Sequence, residues 1–103
     1  MTQERLIENI KDALGKVIQE SVDYYKKGEE KAAWATVDYN LDTGRIMLVQ
    51  WPKDHNTIDV NWSPASAGYG DLGTLVGSVS TEYFGIDTVV FLLTTIINSL
   101  MEE

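Results

Sequence analysis

The sequence predicts an α+β fold in which an N-terminal helix, a three-stranded antiparallel meander and a C-terminal apolar helix follow one another along the chain. Three observations carry that expectation. Residues 3–27 repeat apolar side chains at three- and four-residue spacing, residues 32–62 hold three β-branched and aromatic runs separated by turn residues, and residues 86–101 form an apolar stretch of helical length. The 103 residues suit a single α+β domain over 1–103.

The first helix is expected over Gln3–Lys27. Leu6, Ile10, Ala13, Leu14, Val17, Ser21 and Tyr24 recur on one face, and Ile7, Ile18 and Tyr25 widen it. Thr2 is placed to cap the first turn, Glu4 suits its partial positive charge, and Lys26 and Lys27 suit the opposite end. Gly28 supplies the left-handed residue that stops a helix.

A strand is expected over Ala32–Asn40, where Trp34, Thr36, Val37 and Tyr39 favour extended backbone. Leu41-Asp42-Thr43-Gly44 reads as a hairpin turn with Gly44 at positive φ. The second strand runs over Arg45–Trp51 and ends at Pro52, and Lys53-Asp54-His55-Asn56 makes the next turn. The third, Thr57–Trp62, alternates: Ile58, Val60 and Trp62 face one way, Thr57, Asp59 and Asn61 the other. Ser63–Gly73 is a loop of small residues and glycine, and Thr74–Ser80 is a candidate short fourth strand. In the last helix, Ile86–Met101, Val89 to Leu93 is apolar all the way round. One sheet face does not cover such a helix on every side, so a homodimer contact through Phe91, Leu92, Thr95 and Ile96 is expected.

Composition limits the chemistry. The chain has no cysteine, which removes disulfides, zinc–thiolate sites and thiol nucleophiles and fits a reducing compartment. Met1–Glu8 carries no apolar signal core, and the run from Phe84 to Met101 is shorter than the roughly 20 apolar residues a bilayer requires. A cytoplasmic location without membrane contact is expected. The net charge of −8 is unevenly placed: residues 1–53 hold nine acidic and all eight basic residues, residues 54–103 seven acidic and no lysine or arginine. That half repels phosphate backbones, so no direct nucleic-acid contact is expected, and it attracts a protein with a basic surface.

The motifs that spell chemistry have structural readings. Asp42-Thr43-Gly44 is the aspartic-protease tripeptide, but the hairpin turn accounts for it and helices at both ends do not suit that architecture. Gly68–Gly73 matches G-x-G-x-x-G without a helix opening at Gly73, and Asp71 would repel a pyrophosphate. His55, the one histidine, sits in a polar turn. No catalytic, cofactor-binding or metal-ligating residue is assigned. The aromatic residues point instead to contact with a macromolecule. Trp34 is on the opposite parity from Val37 and Tyr39, which places it on an exposed sheet face. Trp51 and Trp62 are placed in the core. With Trp34, the expected partner-binding residues are Asp59, Tyr69, Asp71, Glu82, Tyr83 and Phe84.

A family resemblance runs through the same landmarks. Tyr24-Tyr25-Lys26-Lys27 closes the first helix, and Val37 to Ile46 fits the form V-x-x-(D/N)-x-x-T-G-x-I. Gly70-Asp71 and Glu82-Tyr83-Phe84-Gly85 follow before a long helix. In this order the chain resembles the N-terminal domain of the bacterial transcription factor NusA. The resemblance implies an RNA-polymerase-binding module. The family's last helix is polar and basic, whereas Ile86–Met101 is apolar and holds no base.

The expected function is therefore a small acidic protein-binding module or regulator, with RNA polymerase one partner. The alternatives are a phage-type inhibitor that mimics nucleic acid toward a nucleic-acid-binding enzyme, an acidic secretion-chaperone-like dimer, and a small-ligand binder or enzyme using the 63–73 loop. The shortage of reactive side chains argues against the last.

Overall fold

The computed structural model describes residues 2–37, 44–68 and 71–101, with Met101 described for its backbone only. Helix α1 spans Gln3–Lys27, as the spacing predicts. Thr2 is extended and its Oγ1 accepts from the Arg5 N–H at 3.2 Å, satisfying a donor that the first turn leaves open. At the other end Gly28 takes φ 71°, and the Glu29 N–H returns to the Tyr24 carbonyl at 2.9 Å. This is the left-handed stop that a glycine adopts without a Cβ clash. The buried face is Leu6, Ile10, Ala13, Leu14, Val17 and Ser21.

The sheet has four strands in the order of the chain, all antiparallel: β1 (Ala33–Val37), β2 (Gly44–Gln50), β3 (Thr57–Pro64) and β4 (Thr74–Ser80). The candidate fourth strand is present. Trp34 pairs with Val49 and Val49 with Asp59, which fixes the alternation across three strands. Ala33, Ala35, Val37, Ile46, Leu48, Ile58, Val60 and Val79 face the helices and form the core with α1 and helix α2 (Ile86–Met101). Between β3 and β4 the register slips after Val60, so Val76 is an extra residue in the edge strand.

Several expectations need correction. Gly44 does not take positive φ; it is the buried first residue of β2, where a Cβ would overlap the Ser63 carbonyl oxygen and come within 2.6 Å of Trp62 Nε1. It is glycine because two strands meet there, while Leu41, Asp42 and Thr43 of the expected turn lie outside the described residues, as do residues 38–40 of the expected first strand. β2 ends at Gln50, and Trp51, expected in the core, is 43% exposed past the strand end. β3 runs on through Ser63 to Pro64, where the proline ends it opposite Gly44.

The last helix is not left apolar on every side. α1 provides a second wall beside the sheet, so Val89, Val90, Leu93 and Ile97 are buried within one chain. Leu92 and Ile96 pack against this core, and Ile96 lies over Gly77, while Phe91 (68%) and Thr95 remain exposed. Gln3 and Asn98 exchange amide hydrogen bonds at 3.1 and 2.9 Å, which fixes the two helices as antiparallel neighbours. No described helix is long and apolar enough to cross a membrane.

Candidate binding site

The helices differ in length, and this leaves an apolar opening beside the longer one. α1 has 25 residues and α2 has 16, and they are aligned at the Gln3–Asn98 end. At the first turn of α2, Asp87 and Val90 stand beside Lys11 of α1. The C-terminal half of α1, from about Gly15 to Lys27, therefore continues without a helical neighbour, for about 18 Å at 1.5 Å per residue.

That half carries a second apolar stripe, Ile18, Val22 and Tyr25, with 39, 41 and 75% of each residue exposed. The stripe forms one wall of a groove of about 540 Å³, floored by buried Ile58 and closed at the rim by Gln50, His55 and Thr81. The rim is held by the backbone. Gln50 Nε2 donates to the His55 carbonyl at 2.9 Å, and the Thr81 N–H donates to the Asn56 carbonyl at 2.8 Å. The His55 ring meets Tyr25 edge-on, with centroids 5.9 Å apart and planes at 85°. This geometry suits the aromatic quadrupole and orients the tyrosine at the mouth.

The sequence-predicted contact residues fall in three separate places. Trp34 and Asp59 share the sheet face turned away from the helices, on either side of Val49. Trp51 joins them by donating its indole N–H to Asp59 Oδ2 at 2.9 Å. Burial raises the Asp59 carboxyl above its ordinary range, the Trp51 hydrogen bond pulls it back down, and nearby Asp54 adds to the rise. Asp71 belongs to the loop after β3, where its Oδ1 accepts from the Gly73 N–H at 2.8 Å and helps hold Gly73 at φ 73°. Glu82, Tyr83 and Phe84 are exposed at the opposite end of the sheet, in the turn between β4 and α2. Tyr69 lies outside the described residues. These residues do not converge on one site.

The loop after β3 folds back over the same sheet face. Asn61 Nδ2 donates to the Leu72 carbonyl at 2.7 Å, and Arg45 Nη2 to the Gly68 carbonyl at 3.0 Å. Met47, on the face away from the helices, is fully buried. Among the described residues, Asn61 Oδ1 and Ser63 Oγ are buried there without a hydrogen-bond partner. The glycine motif leads into β4, not into a helix N-terminus, so its backbone offers no phosphate cradle of the dinucleotide kind. Among the described residues no three His, Asp or Glu side chains converge as metal ligands.

Sequence reasoning missed the groove. Ile18 and Tyr25 were expected to widen the buried face, and Val22 drew no attention. The signal was their spacing: residues 18, 22 and 25 form a stripe of their own beside the core stripe. Periodicity alone does not show that the neighbouring helix stops short.

No family model, no curated protein and no solved structure matches the chain.

Proposed function

We propose that this chain is a protein-binding module whose main contact surface is the groove along the C-terminal half of α1. The observation that carries the reading is the stripe of Ile18, Val22 and Tyr25, left open to solvent above a buried isoleucine floor. A groove of this size, with an apolar stripe and floor, an aromatic at its mouth and polar side chains around them, suits one or two inserted apolar side chains of a partner. Affinity then comes from removing that apolar surface from water, at about 25 cal/mol per Å², less the cost of ordering the partner.

The charge distribution supports a basic partner. Asp54 and Glu82 stand next in sequence to the rim residues His55 and Thr81. Lys26 lines the groove itself, so attraction of a basic partner rests on the acidic surplus of residues 54–103 as a whole, which steers encounter with lysine or arginine flanking the inserted side chain. RNA polymerase, suggested by the resemblance at residues 24–27 and 37–46, is the first partner to assay.

The test is Val22→Glu. The position is half exposed, so the fold should hold, as read by circular dichroism and thermal melting, while the groove wall gains a charge. Proteins from the native host retained by immobilised wild type should be lost by the variant and kept by Glu4→Gln, a change on the exposed first turn. Equal retention by wild type and Val22→Glu overturns the reading.

A further inference from the structure

A second groove lies on the other flank of α1, and its chemistry is different. It runs between α1 and β1, with a volume of about 900 Å³. Trp34, Ala35 and Thr36 all line it. Consecutive strand residues point to opposite faces, so a groove that touches all three follows the edge of the strand. β1 is an edge strand: among the described residues no strand pairs with its outer side.

On the helix side the groove is opened by Gly15. This glycine sits in the middle of α1 without positive φ, and a Cβ built on it would meet nothing within 4 Å. Neither backbone conformation nor packing within the chain calls for glycine here, although it costs about 1 kcal/mol of helix stability relative to alanine. What its missing side chain does provide is space beside the β1 edge.

Charge is graded along the groove. α1 leads into β1 through residues 28–32, so helix and strand run in opposite directions. Lys11 and Lys16, with Asp12 between them, stand toward the Thr36 end and leave it basic by one charge, while Glu20 and Asp23 stand toward the Trp34 end, where no base lines the groove among the described residues. Among the described residues neither lysine has an acidic partner within salt-bridge distance. From Lys11 to Asp23 the helix rises about 18 Å, the span of five to six residues of extended chain.

We infer that this groove takes an extended segment of a partner protein as a fifth, antiparallel strand on β1, with an acidic residue at the segment's N-terminal end and a basic residue at its C-terminal end. An antiparallel strand runs from the Thr36 end toward the Trp34 end, which sets the order of the charges. Residues directly opposite Val37, Ala35 and Ala33 share their face and point toward α1. The acid then sits opposite Val37, near Lys11 and Lys16. The base sits opposite Ala33, near Glu20 and Asp23. A branched apolar side chain opposite Ala35 enters the space left by Gly15. Main-chain hydrogen bonds supply affinity, and the graded charge supplies direction.

The proposal is independent of the groove on the other flank, so Val22→Glu should bind the probe as wild type does. The probe is the blocked peptide Gly-Glu-Thr-Ile-Thr-Lys-Gly, compared with its charge-reversed form Gly-Lys-Thr-Ile-Thr-Glu-Gly. Binding is read by amide chemical shifts of the 15N-labelled protein during titration. The first peptide should shift the amides of Trp34, Thr36 and residues 12–20, and the reversed peptide should bind at least about tenfold more weakly, a difference of ~1.4 kcal/mol. Gly15→Arg should fold with an unchanged or higher melting temperature and lose the shifts. The exchange Lys16→Glu with Glu20→Lys should reverse the preference between the peptides. The proposal is overturned by equal binding of the two peptides, by shifts confined to other elements, by undiminished binding to Gly15→Arg, or by no shift at millimolar peptide.

Discussion

Gly15→Ala should make the protein more stable, and the expected size follows from the position. The residue is the thirteenth of 25 in α1, its backbone lies outside the positive-φ region, and a Cβ there would have no neighbour within 4 Å. The mutant therefore loses no contact and incurs no strain, and the change reduces to helix propensity with its unfolded-state entropy component, about 0.8–1.0 kcal/mol in favour of alanine. For a domain of this size that corresponds to a rise of roughly 4–8 °C in the midpoint of thermal unfolding. Urea unfolding monitored at 222 nm should show a higher midpoint with an unchanged slope, the sign of a stability change without a change in exposed surface. Gly73→Ala is the control of opposite sign, because Gly73 has φ 73° and an added Cβ would overlap the Trp62 backbone. A neutral or destabilising Gly15→Ala would mean that the flank of α1 facing β1 is already filled, and the reasoning about the β1 groove would fail with it.

Further outcomes are expected. Gly44→Ala should lose about 1–3 kcal/mol by overpacking, since the new methyl meets the Ser63 carbonyl and the Trp62 indole; denaturant titration reads it. Leu93→Ala, in the fully buried face of α2, should cost about 2–5 kcal/mol, which separates a helix integral to the domain from one that docks only on a partner. The Asp59 carboxyl is raised in the folded state, so the native protein holds its proton to higher pH than the unfolded chain. The contribution to stability is present below the unfolded value and is lost as pH rises through the folded one. Asp59→Asn should remove that pH dependence while still accepting from Trp51, as measured by urea unfolding near pH 4 and at neutrality. If two copies pair through α2, light scattering should show a mass that rises with concentration in wild type and stays monomeric in Phe91→Ser; a monomer throughout would dismiss that contact.

The helices and the sheet order were legible because their signals are local. Thr2 and Gly28 mark the ends of α1, and the alternation of Ile58, Val60 and Trp62 marks β3. The errors share a cause, which is that the deciding neighbour lies far away in sequence. Gly44 reads as a turn glycine until Trp62 and Ser63 are found against it. Trp51 reads as core until β2 is seen to end one residue earlier. That α2 finds a second wall within its own chain shows only once α1 is placed beside it, and the exposed Phe91 keeps the dimer contact open to test. Of the candidate surfaces, the Trp34 and Asp59 pairing could be read from strand parity. The groove on α1 depends on where a second helix begins, which no pattern within α1 encodes.

The unequal helices imply that the groove is set by a single length. Lengthening α2 backwards from Ile86 by about ten residues, three turns, would lay a roof over Ile18, Val22 and Tyr25 and leave the strand order unchanged. Chains with this architecture thus have a simple route between an open and a sealed form: extension of one helix trades a docking surface for a larger core. Such an extended variant should melt higher and capture nothing through that flank, which makes helix length itself a handle for switching this fold between scaffold and receptor.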